Sequence, residues 1–80
     1  MIKHTMKDIY GRSDSKFVVR FCRGYEKMIC IEDLRHIYDY LSEEELTKMM
    51  REARLSPDGK RLYFSDEIEW SADDVYLHHA

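Results

Sequence analysis

One proline, three glycines and two cysteines are all that eighty residues contain of those types, and no apolar run approaches the ~20 residues that cross a bilayer. So little Gly and Pro excludes a collagen-like or low-complexity chain. The missing apolar run excludes a transmembrane helix. The opening residues Met1-Ile2-Lys3-His4-Thr5-Met6 lack the continuous hydrophobic stretch of a signal peptide, so a cytoplasmic location is expected. Two cysteines are too few for a disulfide framework. Cys22 and Cys30 both lie in apolar, strand-like segments, which predicts two buried, reduced thiols. No CxxC and no paired Cys/His spacing is present, so no structural zinc is expected. A Gly-rich phosphate loop, a nucleophile elbow and an HExxH motif are also absent, and neither an enzyme nor a cofactor is expected.

What is present is a globular composition, 44% apolar and 36% charged. At 9.7 kDa, surface scaling gives about 5,100 Å² exposed from about 14,000 Å² extended, enough for one modest core in one domain.

Along the chain, residues 1–15 hold a structured stretch, 2–9, whose type the spacing leaves open, followed by the polar loop Gly11-Arg12-Ser13-Asp14-Ser15. Residues 16–31 read as a β-hairpin, with Phe17, Val19 and Phe21 alternating up to Arg23-Gly24 and β-prone residues resuming at Tyr25. Its register is open, because a one-residue slip decides whether Phe17, Val19 and Phe21 lie opposite Met28 and Cys30 or Ile29 and Ile31. Residues 32–54 predict two helices. Leu34, Ile37, Tyr38 and Leu41 mark the first, and the Ser42/Glu45 capping box with the Leu41/Leu46 staple opens the second, whose stripe is Leu46, Met49, Met50 and Ala53. Ser56-Pro57-Asp58-Gly59 is a turn. Residues 60–70 alternate as a half-buried strand or tight hairpin, with Asp66 the one break in its apolar face. Ser71 with Asp74 caps a short last helix within 71–80.

The expected fold is therefore α+β, a small single domain with an antiparallel three-stranded sheet packed on two central helices. Its expected core is Phe17, Val19, Phe21, Ile29, Ile31, Leu34, Ile37, Leu41, Leu46, Met49, Met50, Leu62, Phe64, Ile68 and Trp70.

Charge is unevenly spread. Residues 1–30 carry seven Lys or Arg against three acids, while residues 31–80 carry six against thirteen. Such a dipolar domain orients its encounters although its net charge is only −3. Two patches follow. Asp66, Glu67, Glu69, Asp73 and Asp74 surround Trp70 and suit a basic partner surface; Arg12, Lys16, Arg20, Arg23, Tyr25 and Lys27 form a basic, aromatic hairpin that suits an anion. Asp74 with His78 would share a helical face at i, i+4, enough for two metal ligands, and dipole or tail effects explain the pair better.

The function expected is a non-enzymatic cytosolic interaction module that regulates or inhibits another protein through the acidic patch. Inhibitors and adaptors encoded by phages or other mobile elements are one class with this profile. Six tyrosines exceed what one small core encloses and raise a homodimer as a linked expectation. The alternative is a small nucleic-acid-binding module, winged-helix-like or using the basic hairpin, with Lys48, Arg51 and Arg54 on the reader helix. Glu43, Glu44 and Glu45 at that helix's N-terminus oppose it.

Overall fold

Residues 4–77 are described by the computed structural model, and they form an α+β fold with two three-stranded antiparallel sheets and three helices. The first sheet runs β1 (Met6–Tyr10), β2 (Lys16–Phe21), β3 (Glu26–Cys30) in that spatial order. Phe17 pairs with Ile29 and Val19 with Lys27, which settles the hairpin register. The odd-numbered residues of β2 thus share a face with Ile29 and Ile31 and enter the core, while Met28 stays 46% exposed. Within the stretch whose type the spacing leaves open, the residues from Met6 on belong to β1, which is offset by a bulge between Met6 and Asp8.

Cys30 ends β3 and caps α1 (Ile31–Ile37) at once, with the Asp33 carboxylate accepting from the Cys30 N–H. This helix is shorter than Leu34, Ile37, Tyr38 and Leu41 suggest. It stops at a Tyr38 cap with φ −113° and ψ 61°, and Leu41 N–H then bonds to the Tyr38 carbonyl in a turn. Ile37 is consequently 47% exposed rather than core. The capping box opens α2 (Glu43–Glu52) as the spacing predicts, Ser42 Oγ accepting from Glu45 N–H at 3.2 Å.

After α2, β4 (Arg54–Leu55) pairs with β5 (Arg61–Tyr63) across the Ser56–Gly59 turn. Residues 60–70 form a tight hairpin rather than one strand, and they do not join the first sheet. Ser65 Oγ accepts from the Glu67 and Ile68 amides, so the chain reverses at Asp66 and returns as β6 (Glu69–Ser71) against β5. That hydroxyl offers the backbone a turn in place of a ladder, which is why the alternation breaks there. Reciprocal bonds between Ser71 and Asp74 then start α3 (Ala72–Leu77).

One core joins both sheets. Phe17 from β2 lies 6.3 Å from Phe64, whose ring meets Trp70 edge-on at 4.9 Å. Trp70 is 8% exposed and its Nε1–H donates to Tyr38 Oη at 2.9 Å. Met6, Ala53, Ala72 and Val75 complete this core beyond the expected residues, while Leu41 and Ile68 pack only at its margin. Cys22 is exposed in the hairpin turn and Cys30 is half-buried, so neither thiol is the buried small hydrophobe that was expected. Burial, with Asp33 nearby, raises the Cys30 thiol pKa.

The Gly11–Ser15 loop is clamped to the end of α2. Arg12 donates from Nη1 to the Met50 and Arg51 carbonyls and from Nη2 to that of Ala53, at 2.8, 3.0 and 2.6 Å. Arg51 reaches back to both oxygens of Asp14, holding that carboxyl below its ordinary pKa. A planar, permanently charged fork satisfies three carbonyls that the helix leaves open. Arg12→Ala should lower the Tm by about 5–10 °C, and Arg12→Lys should recover little, because an ammonium cannot reproduce the fork. A thermal melt equal to the parent would contradict this account of the loop.

Candidate functional site

The five acids proposed as one patch separate into two places. Asp66 and Glu67 sit exposed on the 64–68 turn, and Glu69 is exposed on β6. Asp73 and Asp74 lie in the first turn of α3, where both are engaged. His4 donates from Nδ1 to Asp73 Oδ1 at 2.7 Å, which holds the Asp73 carboxyl below its ordinary pKa. Asp74 serves the Ser71 cap. Asp73 is therefore a half-buried tie between the segment leading into β1 and α3 and not a free member of the acidic patch.

Around Asp66 and Glu67 the fold builds an open cleft of about 330 Å³. Its apolar floor comes from Leu41, Met49, Phe64 and Ile68, and its rim carries Glu45, Glu52, Asp66 and Glu67 against Lys48 and Arg54. The α2 wall is one helical face, since Glu45, Lys48, Met49 and Glu52 fall at i, i+3, i+4 and i+7. Both cations have neighbours: Lys48 Nζ stands 3.9 Å from Glu52, and the Arg54 guanidinium lies over the Tyr63 ring, 5.4 Å from its centroid. Four carboxylates over an apolar floor give a local excess of negative charge beside surface that a hydrocarbon stem can cover. The α2 acids are not legible as site residues in the sequence, where Glu45 reads as half of a capping box and Glu52 belongs to no pattern. The turn at Ser65 brings them opposite Asp66, and that turn was open in the sequence.

The basic hairpin is also divided. Arg12 is spent on α2. Arg20 pairs with Glu26 across the strands and lies between Asp8 at 3.8 Å and Glu26 at 3.4 Å, with its guanidinium over Tyr10. Lys27, opposite Val19, projects from the other face, so Arg20 and Lys27 do not share one basic surface. Lys16 pairs with Cys30 at the far end of the hairpin. Arg23 and Tyr25 remain at the tip, next to a second cleft formed with His4 and Tyr76. Of the proposed reader-helix cations, Arg51 is held by Asp14 and Lys48 by Glu52.

Among the described residues no group of three or more His, Cys, Asp or Glu is arranged to hold a metal, and no helix is long and apolar enough to cross a membrane. His78 and His79 lie outside the described residues. Comparison of the chain with family models, with curated proteins and with solved structures finds no match.

Proposed function

We propose that this chain is a non-enzymatic, cytoplasmic protein-binding module that regulates another protein by capturing its basic side chains in the cleft between α2 and the 64–68 turn. The observation that carries the reading is the pairing of an apolar floor with a rim of four carboxylates and two engaged cations. An arginine or lysine has the matching form, an apolar stem that covers Met49 and Ile68 and a charged head that reaches Glu67 or Glu52. Carboxylates at the rim also steer the encounter, so association should be fast at low salt and slow as salt rises.

The test is capture from a nuclease-treated cell extract by the immobilised parent and by two variants. Asp66→Lys with Glu67→Lys reverses the exposed turn without touching a cap or the His4 tie; Arg23→Glu with Lys27→Glu reverses the hairpin tip. A protein that survives nuclease, is lost with the first variant and is kept by the second is the expected result. Loss only with the second variant, or capture that ends with nuclease, would refute the reading.

A further inference from the structure

The tip of the β2–β3 hairpin, the segment leading into β1 and α3 enclose a second open cleft of about 340 Å³ that shares no lining residue with the acidic one. Its walls are His4, Thr5, Phe21, Cys22, Arg23, Tyr25 and Tyr76. Four of these are rings in mutual contact. Tyr25 lies 4.7 Å from Tyr76 and 5.6 Å from Phe21, and the His4 ring meets Tyr76 edge-on. Phe21 is buried beneath them, but Tyr25 is 43% exposed, so part of this aromatic cluster reaches solvent.

The charges around this surface have one sign to spare. Asp73, on α3, is occupied by His4, and Glu26 projects from the opposite face of the hairpin toward Arg20. Arg23 has no ion-pair partner among the described residues, unlike Arg20, Arg35 and Arg51, and Lys27 shares a strand face with Tyr25. A cationic ligand would meet Arg23 unfavourably. A planar ring bearing an anion would satisfy both features, stacking on tyrosine and placing its charge on a guanidinium.

We propose that this cleft binds a nucleotide unit, with the base stacked on the exposed ring of Tyr25, which Tyr76 backs, and the phosphate held by Arg23. The volume lies near the lower end of small-ligand pockets, roughly 300 Å³ upward, and so suits one unit rather than a duplex groove. Stacking tolerates any base, so the unit comes either free or as part of a single strand.

Calorimetric titration with AMP, adenosine and an oligodeoxyadenylate decides the matter, using the parent, Arg23→Ala and Tyr25→Ala. Both positions are exposed, and because the Tyr25 ring also rests on Phe21, a thermal melt first establishes that each variant is folded. AMP should bind at least about 5-fold more tightly than adenosine, and Arg23→Ala should remove that advantage. Tyr25→Ala should weaken both by about 5-fold or more. An oligomer that binds far more tightly than AMP, with steep salt dependence, identifies a single strand as the source, and equal affinity per site identifies the free nucleotide. Absence of binding by AMP and oligomer at millimolar concentration, or binding that both variants leave unchanged, would overturn the proposal. The Asp66→Lys/Glu67→Lys variant should bind AMP like the parent, so this site and the acidic cleft stand or fall separately.

Discussion

Phe64→Ala should destabilise the protein by about 3–5 kcal/mol and lower its Tm by at least about 15 °C. Phe64 is 1% exposed and touches both halves of the fold, Phe17 on the first sheet and Trp70 on the second. Truncation leaves a cavity between sheets that share no strand, and little can collapse to fill it. For eighty residues the whole stability is about 4–12 kcal/mol, so the variant should lose much of its folded population near physiological temperature. Tyr40→Ala, at a position 74% exposed, should move stability by no more than about 0.5 kcal/mol. Matched thermal and urea melts of the two variants supply the check. A Phe64→Ala melt overlying that of Tyr40→Ala would remove the shared core from the account.

Gly59→Ala should cost at least about 2 kcal/mol, more than its side-chain size suggests. Gly59 holds φ at +72°, and a Cβ there would be driven into the Met6 carbonyl and against Thr5 Cγ2. The left-handed conformation alone costs an L-residue about 1–2 kcal/mol. The remainder comes from prising β1 off the turn and lengthening the 2.7 Å bond from Met6 N–H to the Gly59 carbonyl, a backbone bond between the two sheet regions. Gly24→Ala separates the two contributions. Gly24 has φ +85° and nothing within 4 Å of its Cβ direction, so its substitution pays only the conformational part. Equal losses for the two variants, measured by denaturant unfolding, would show that the Met6 contact contributes nothing.

Local signals were the legible part of the fold. The Ser42/Glu45 box, the Ser56–Gly59 turn, the hairpin and the Ser71/Asp74 cap each rest on residues within a few positions of one another, and each is found where the pattern places it. Pairing between distant segments was not legible. β1 carries apolar residues that also fit a helix, and pairing with Phe21, Arg20, Val19 and Val18 across the sheet makes it a strand. β4, two residues long, has no pattern of its own and exists because the turn after it returns Leu62 to Leu55. Ile37 failed as a core residue for a related reason. Its spacing is right, but the helix ends at it, and the chain turns away before that side chain can be covered.

The candidate site was legible in composition and not in grouping. The excess of acid after residue 31 is plain, yet counting charges cannot separate a carboxylate that caps a helix from one that faces solvent. Asp74 is held by the Ser71 cap, Asp73 by His4, and Arg12 and Arg20 by contacts across the fold. What stays outward is Asp66 and Glu67, facing an α2 wall on which Glu45 also serves the Ser42 cap and Glu52 also stands near Lys48, a combination that depends on a reversal at Ser65.

The most direct measurement of the central claim is an amide chemical-shift titration of the isotopically labelled protein with a capped tetra-arginine peptide, at low and at high salt. Capture of basic side chains by the cleft predicts shifts concentrated in residues 45–52 and 64–68, saturable at low salt, weakened at high salt and absent from the Asp66→Lys/Glu67→Lys variant. Shifts of similar size at Glu32, Glu44 and Asp74, persisting in that variant, would mean that the peptide answers only to general negative charge and that the cleft is not a binding site.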